Sequence, residues 1–144
     1  MPRMINAAGM AVIKEAEGFN ANAYVDSGGV PTIGYGHTAG VKMGDVCTPE
    51  QADDMLLSDL SGAEAAVSDL VKVPLTDNQF SALVLFVFNV GAGAFGKSTL
   101  LRDLNAHDYD SVPAQLRLWV FANGKRIKGL ENRRAKEINL WSMK

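Results

Sequence analysis

The spacing of apolar and polar residues near the start of the chain predicts one helix followed by a β-hairpin. Asn6 is placed to cap a helix that runs through Glu17, and Gly18 provides its stop. β-Forming residues then occupy positions 23–26 and 30–36, with glycines between and among them. This pattern is typical of two strands in a small antiparallel sheet.

The remainder of the chain has a helical pattern of apolar residues. Capping boxes that begin at Thr48 and Thr76 mark the starts of two helices. The first is expected to reach about Val71. The second, Phe80–Val90, is apolar nearly all round and is therefore predicted to be a buried central helix, ended by the glycines that follow it. Shorter helices are predicted at Ser98–Asn105, Pro113–Phe121 and Asn132–Trp141.

These elements together predict an α+β fold in one domain that spans residues 1–144. The antiparallel sheet forms a small N-terminal lobe at about 18–46. A larger helical lobe takes about 47–144 together with the N-terminal helix. A cleft between two such lobes is a natural ligand site, so we expect the functional residues to lie beside it.

Composition restricts the chemistry that is open to the chain. Cys47 is the only cysteine, which excludes an internal disulfide, and one cysteine with two histidines cannot build a Cys/His zinc cluster. We expect no metal and no cofactor. The longest apolar-rich run, Phe80–Val90, is about half of the ~20 residues that a membrane span needs. Met1–Ile13 imitates a signal peptide only faintly, because its helix pattern continues into Glu17 without a cleavage site.

Charge is distributed unevenly, although the net charge is only −2. Residues 1–72 hold 4 Lys/Arg against 10 Asp/Glu, whereas residues 73–144 hold 10 against 6. A basic half of this kind could bind an anionic polymer or attract an acidic lobe of the same protein. Two oppositely charged faces that both lie in solvent would explain the distribution equally well. We expect no nucleic acid among the partners, and a monomer is the default expectation.

Glu17 is the first candidate for acid chemistry. It ends the first predicted helix, where the helix dipole favours the neutral form of a carboxyl group. A carboxylic acid that keeps its proton is what glycoside cleavage needs to protonate the leaving oxygen. Taken alone, however, the position suits an ordinary surface glutamate such as Glu15 better.

Asp26 and Thr32 gain interest from the geometry of the hairpin. If residues 27–29 form a three-residue loop, Asp26 pairs with Val30 and shares one face of the sheet with Thr32. The Cα atoms of diagonal neighbours of this kind are about 7–8 Å apart, which leaves room for a water molecule between a carboxylate and a hydroxyl. Taken singly, Asp26 is also an ordinary turn residue and Thr32 an ordinary β-former.

Several stretches carry a more specific pattern, and they cover nearly the whole chain in order. They are Glu17-Gly18-Phe19, Ala23-Tyr24, Asp26, Gly29, Pro31 to Thr38, Val73-Pro74-Leu75, Phe88 to Gly91, Ser98-Thr99-Leu100, Leu104-Asn105 and Gly129 to Arg134. Together they resemble the T4-type phage lysozymes, glycoside hydrolase family 24, and among them the P22-like endolysins. The active site of that family has the pattern Glu, eight residues, Asp, five residues, Thr, which Glu17, Asp26 and Thr32 match without a gap.

The resemblance implies a lysozyme-like fold and a muramidase. Such an enzyme hydrolyses the β-1,4 bond between N-acetylmuramic acid and N-acetylglucosamine in peptidoglycan, and an endolysin thereby lyses the host cell. Glu17 would be the general acid, Asp26 the carboxylate that positions or activates water, and Thr32 the hydroxyl that holds this water. T4-type enzymes invert the anomeric carbon, so inversion is expected here.

Other residues are candidates for supporting roles. By the same resemblance, Arg133 matches the arginine that pairs with the catalytic glutamate, although a basic surface position suits it too. His37 matches a histidine that forms an ion pair with an aspartate on the following long helix, for which Asp59 is the best candidate. The candidates for substrate contact are Gly36, Thr38, Phe88 and Asn89.

Several of these side chains have a structural alternative. Phe88 suits a core position at least as well as a sugar contact, and Asn89 suits a helix C-cap. Trp119 and Trp141 are expected to be core anchors. Cys47 is not expected to act as a nucleophile.

Two other functions would fit the same fold, namely a catalytically weak structural module and a lytic transglycosylase. The presence of Asp26 and Thr32 favours hydrolysis, because neither has an obvious task when the bond is cut without water. Since no signal segment is evident, we expect the protein to wait in the bacterial cytoplasm until a separate pore-former releases it to the cell wall.

Overall fold

The computed structural model describes residues 2–144. The helices are Ala7–Glu17 (α1), Pro49–Leu70 (α2), Asp77–Val90 (α3), Ala92–Gly96 (α4), Thr99–Asn105 (α5), Val112–Leu116 (α6) and Lys128–Ser142 (α7), with a short 3-10 helix at Tyr109–Ser111. The strands are Asn20–Val25 (β1), Pro31–Gly34 (β2), Phe121–Ala122 (β3) and Lys125–Arg126 (β4). β1 pairs with β2 and β3 pairs with β4, both antiparallel, which confirms the predicted α+β class.

The first helices begin where their capping side chains predict. Asn6 Oδ1 accepts a hydrogen bond of 2.9 Å from the backbone N–H three residues later and so caps α1. Thr76 Oγ1 accepts from the Gln79 N–H at 3.0 Å, while the Gln79 side chain accepts from the Thr76 N–H at 2.9 Å. Thr48 and Gln51 form the same reciprocal pair at the start of α2. Each such cap contributes roughly 1 kcal/mol to the stability of its helix.

The predicted helix Pro113–Phe121 is wrong in its second half. The helix α6 ends at Leu116, and Phe121–Ala122 instead forms one strand of the β3–β4 hairpin. Asn123 and Gly124 both have positive φ, 53° and 76°, which is the backbone that a tight hairpin turn requires. An Asn-Gly pair between short strands is a strong hairpin signal, so this element could have been found from the sequence.

The other helix boundaries in this half also differ from expectation. Gly91 ends α3 as predicted, with its N–H bonded to the Val87 carbonyl at 2.7 Å, but α4 begins at the very next residue. The last helix starts at Lys128 rather than at Asn132. Gly91 therefore ends α3, but Gly93 does not stop helix formation, because it lies inside α4.

The chain forms two compact units. One is Ile13–Ser61 and contains the β1–β2 hairpin. The other consists of the described residues up to Val12 together with Gly62–Lys144, and it contains α3 to α7. No helix within residues 2–144 is long and apolar enough to cross a membrane.

In the larger unit the core is built around α3, as its all-round apolar pattern predicts. Every residue from Phe80 to Val87 is buried. The Phe86 ring packs edge-on against Phe95 and Trp119, with ring centroids 6.3 and 5.3 Å apart. Removal of one buried ring of this kind costs about 3–5 kcal/mol, so these contacts account for a substantial part of the unit's stability.

The smaller unit has its own apolar cluster of Ile33, Cys47 and Ala52. Ile33 lies in β2 and is 3% exposed. Tyr35 and Met55 pack against the same cluster. This core fixes β2, which carries Thr32, and the turn after it, which carries Gly36.

Candidate active site

Glu17 is the last residue of α1. Gly18 ends the helix with a φ of 71°, and its N–H donates to the Lys14 carbonyl at 2.9 Å. The Glu17 side chain is half-buried. Its carboxylate lies against the backbone of Gly36, because a Cβ atom at that glycine would be only 2.8 Å from Glu17 Oε2. The acid is therefore in contact with the chain segment that follows β2.

The hairpin register places Asp26 and Thr32 on the same face. Tyr24 pairs with Thr32, and the Asp26 N–H donates to the Val30 carbonyl at 3.0 Å. Residues 27–29 therefore form the loop. Since side chains alternate between the two faces of a strand, Asp26 lies on the face that also carries Thr32. This confirms the register predicted from the loop length.

The Asp26 carboxylate forms the turn through only one of its oxygens. Oδ1 accepts hydrogen bonds from the N–H groups of Gly28 at 2.8 Å and Val30 at 2.9 Å. Both bonds involve the same oxygen, so the turn makes no demand on Oδ2. The role of Asp26 as a turn residue is thus compatible with chemistry at its second oxygen.

Thr32 is buried at 3% exposure, and its hydroxyl donates to the Val30 carbonyl at 2.9 Å. A hydroxyl has one proton and two lone pairs. With the proton directed at a carbonyl, the oxygen can still accept a hydrogen bond from water. The side chain is also fixed, because burial and the bond to Val30 both restrict its rotation.

The segment after β2 is a tight turn that α2 holds in place. Ile33 and His37 exchange two backbone hydrogen bonds of 2.9 Å each. His37 Nδ1 lies 2.9 Å from Oδ2 and 3.0 Å from Oδ1 of Asp59, and the two side chains are 15% and 24% exposed. The predicted contact between His37 and Asp59 is confirmed, and it ties the turn that contains Gly36 to α2.

Tyr35, in the same turn, contacts one side chain from α1 and one from the segment between α1 and β1. Its ring centroid is 5.6 Å from that of Phe19 and 5.6 Å from Lys14 Nζ. Lys14 Nζ in turn lies 2.8 Å from Asp53 Oδ1. The hydrogen bond to Asp53 raises the pKa of Lys14. These contacts connect the end of α1, the turn that contains Gly36, and α2.

The larger unit contains a buried charged pair that sequence reasoning missed. Arg134 is 1% exposed and Glu137 is 2% exposed, and Arg134 Nε lies 3.0 Å from Glu137 Oε1. Arg134 Nη2 donates to Asn89 Oδ1 at 2.5 Å, and the guanidinium lies 4.9 Å from the centre of the Phe86 ring. Only the spacing of Arg and Glu three residues apart on a predicted helix could have indicated this pair.

Burial dominates the acid–base behaviour of this pair. It lowers the pKa of Arg134. It also raises the pKa of Glu137 to about 8, although the positive charge of Arg134 acts in the opposite direction. Both shifts follow from the high cost of a charge in a medium that water does not reach.

The remaining candidates differ in their burial and in their contacts. The C-cap interpretation of Asn89 is wrong, because Gly91 caps α3 and the Asn89 side chain bonds to Arg134. Phe88 and Arg133 are half-buried, and Thr38 is exposed. Both tryptophans are core anchors as predicted, since Trp141 is 6% exposed and Trp119 packs on Phe86. Cys47 is buried and forms no disulfide.

The candidate residues divide between the two units. Those in Ile13–Ser61 are Glu17, Asp26, Thr32, Gly36, His37, Thr38 and Asp59. Those in the larger unit are Phe88, Asn89 and Arg133. Within residues 2–144, no group of three or more His, Cys, Asp or Glu side chains is arranged to hold a metal ion.

Comparison with known proteins gives consistent matches along the chain. Residues 14–137 match the family described as phage lysozyme. The endolysin of Acyrthosiphon pisum secondary endosymbiont phage 1 is 43% identical over 95% of this chain and 97% of its own length. The endolysin of Salmonella phage P22 is 41% identical over the same shares. Among solved structures, the muramidase domain of SpmX from Asticaccaulis excentricus matches with a TM-score of 0.89 and 39% identity, over 99% of this chain and 100% of that domain.

Proposed function

We propose a separate catalytic role for each of Glu17, Asp26 and Thr32, on the premise that this chain belongs to the phage lysozyme family. It is a muramidase, that is, a glycoside hydrolase that acts on bacterial peptidoglycan. Glu17 is the general acid. Asp26 is the base that activates water. Thr32 holds this water in place through its hydroxyl oxygen.

The reaction consumes one water molecule for each bond that is cut. Glu17 donates its proton to the glycosidic oxygen as the bond from the anomeric carbon of N-acetylmuramic acid to that oxygen breaks. The water attacks the same carbon from the opposite face, and Asp26 takes the proton that this water loses. The products are a reducing N-acetylmuramic acid end and the free 4-hydroxyl of N-acetylglucosamine, with the anomeric configuration inverted.

One observation above all supports this proposal. Asp26 and Thr32 lie on one face of the hairpin, with Asp26 Oδ1 bound to backbone N–H groups and the Thr32 hydroxyl proton bound to the Val30 carbonyl. The second carboxylate oxygen and the hydroxyl lone pairs can then both accept hydrogen bonds, which is what orienting a water for attack requires. Neither group is arranged to donate a proton, so the acid must come from elsewhere, and Glu17 is suited to that role.

We extend the proposal to the residues around these three. Arg133 is a supporting residue of the site, because a positive charge favours the ionised form that a carboxyl group takes when it loses its proton. Gly36, Thr38, Phe88 and Asn89 are the residues that contact the glycan strand. The protein acts as a monomer on glycan strands and does not bind nucleic acid.

Release to the substrate is a further part of the proposal. We expect the folded enzyme to collect in the host cytoplasm and to reach the wall only when a separate pore-former opens the inner membrane. Expression in a bacterium with and without a co-expressed pore-forming protein tests this. Lysis only in the presence of the pore-former is expected, and lysis by the enzyme alone would contradict it.

Mass spectrometry of digested peptidoglycan tests the reaction itself. Hydrolysis leaves reducing muramic acid ends, one water heavier than the 1,6-anhydro ends that a transglycosylase leaves. NMR of a fresh digest separates the two hydrolytic outcomes, because inversion gives the α-anomer first. Anhydro ends would contradict hydrolysis, and an initial β-anomer would contradict the direct attack of water.

A further inference from the structure

The Glu17 side chain is in unusually close contact with one glycine. A Cβ atom at Gly36 would lie 2.8 Å from Oε2, 3.4 Å from Cδ and 3.9 Å from Cγ of Glu17. The three atoms nearest to that position all belong to this one side chain. Separations below 3.0 Å essentially never occur for real Cβ atoms, so any side chain at this position would displace the carboxylate.

Backbone conformation alone does not explain this glycine. Gly36 has a φ of 78°, which L-residues other than glycine rarely adopt. Gly40, in the same unit, has a similar φ of 70°, but nothing lies within 4 Å of its Cβ position. The two glycines therefore share the conformational requirement, and only Gly36 has the contact with the acid.

The turn that carries Gly36 has little freedom to move away from Glu17. The two backbone bonds between Ile33 and His37 close it, and the contact between His37 and Asp59 fastens it to α2. Its first glycine, Gly34, is itself close-packed, since a Cβ atom there would lie 3.1 Å from Ala52 Cβ. A displacement at Gly36 would thus be taken up mainly by the more mobile partner, the Glu17 side chain.

We propose that Gly36 is a positioning residue for Glu17, with its bare backbone serving as the surface against which the acid is held in the geometry for proton transfer. This inference rests on the proposed function of Glu17 as the general acid. It assigns to Gly36 a role that acts through Glu17, in addition to lining the sugar site. The effect of a substitution should appear in the chemical step, because a displacement of about 1 Å in a reacting group is enough to cost roughly 10²-fold in rate.

Steady-state kinetics on soluble glycan oligomers compares Gly36→Ala with Gly40→Ala. For Gly36→Ala we expect kcat to fall about 10²-fold or more, a larger factor than any change in KM, and the limb of the pH–rate profile that reports the acid to shift. Gly40→Ala, which has the backbone strain without the contact, should keep kcat within about threefold. Equal kcat losses in the two variants, or a loss confined to KM, would overturn the proposal.

Crystal structures of the parent chain, Gly36→Ala and Gly40→Ala test the contact without any use of activity. In Gly36→Ala the Glu17 carboxylate should be displaced by about 0.6 Å or more, the difference between 2.8 Å and the 3.4 Å at which ordinary contact begins. In Gly40→Ala it should keep its parent position, because nothing lies within 4 Å of that Cβ. A Glu17 carboxylate that keeps the parent position in Gly36→Ala would overturn the contact and with it the proposal.

The two experiments separate this inference from the proposed function. If Glu17→Gln kept full activity, the acid assignment would fail, while the position of the Glu17 carboxylate in Gly36→Ala would still report the contact between Gly36 and Glu17. If Glu17→Gln were inactive but Gly36→Ala matched Gly40→Ala in kcat, the acid assignment would stand and the positioning role would be wrong.

Discussion

Arg134 Nε and Glu137 Oε1 lie 3.0 Å apart on α7, and both side chains are almost completely shielded from solvent. The pair is part of the packing between α3 and α7, where the guanidinium also contacts Asn89 and the Phe86 ring. Charged groups at such a depth are stable only with partners. Their protonation should therefore leave a measurable mark on the stability of the larger unit.

Glu137 should make the protein lose stability as pH rises. Burial raises its folded pKa to about 8, above the unfolded value of 4.5. A raised pKa means that the stabilisation is complete below about pH 4.5 and is lost as pH increases through about 8. The slope cannot exceed about 1.4 kcal/mol per pH unit for one proton.

Urea unfolding of the parent chain and of Glu137→Gln at pH 5, 6.5 and 8 checks this. The glutamine variant keeps a similar shape without the ionisation, so the parent should lose stability relative to it across the series. Parallel pH dependences in the two proteins would show that Glu137 is ionised throughout.

Substitutions at Asp26 should separate its structural role from its chemical one. Asparagine keeps an oxygen that can accept from Gly28 and Val30, whereas alanine does not. We expect Asp26→Asn to unfold within about 0.5 kcal/mol of the parent but to lose at least about 10²-fold in lytic rate. Asp26→Ala should lose the same activity and about 1 kcal/mol of stability in addition. Near-parental lysis by Asp26→Asn would reduce Asp26 to a turn residue.

The contact between His37 and Asp59 should contribute more to the free energy of unfolding than an exposed ion pair does. Exposed pairs contribute about 0–1 kcal/mol, but these two side chains are mostly buried and the Nδ1 atom contacts both carboxylate oxygens. A double-mutant cycle with His37→Asn and Asp59→Asn, measured by unfolding near pH 5.5, should give a coupling above about 1 kcal/mol. Additive losses would mean that the pair contributes nothing beyond packing.

Local side-chain chemistry accounts for what the sequence predicts well. Asn6, Thr48 and Thr76 cap their helices through neighbouring backbone groups, so their effect depends only on short spacings. The same holds for the hairpin, because a loop of three residues fixes the register and hence the common face of Asp26 and Thr32. A contact across the sequence, from His37 to Asp59, could be predicted only through a family resemblance.

Features that depend on packing between distant segments could not be predicted from the sequence. Gly36 and Glu17 are nineteen positions apart, and nothing in either residue's neighbourhood indicates that one backbone touches the other's carboxylate. Arg134 stands in a strongly basic stretch, which suits solvent, yet it is buried beside Phe86. Burial of a charge depends on which groups surround it in the folded state, and the sequence alone does not supply them.

The matched pair Glu17→Gln and Glu15→Gln tests the central claim most directly. Both substitutions remove one carboxyl group near the end of α1, but Glu15 is exposed and has no proposed part in the reaction. The measurement is the rate at which each purified variant solubilises isolated peptidoglycan, with Tm recorded to show that both are folded. Loss of a general acid costs about 10²–10⁴-fold, so Glu17→Gln should fall to about 1% of the parent rate or below while Glu15→Gln stays within about twofold. Two variants with similar rates, whether both active or both inactive, would contradict the assignment of Glu17 as the acid.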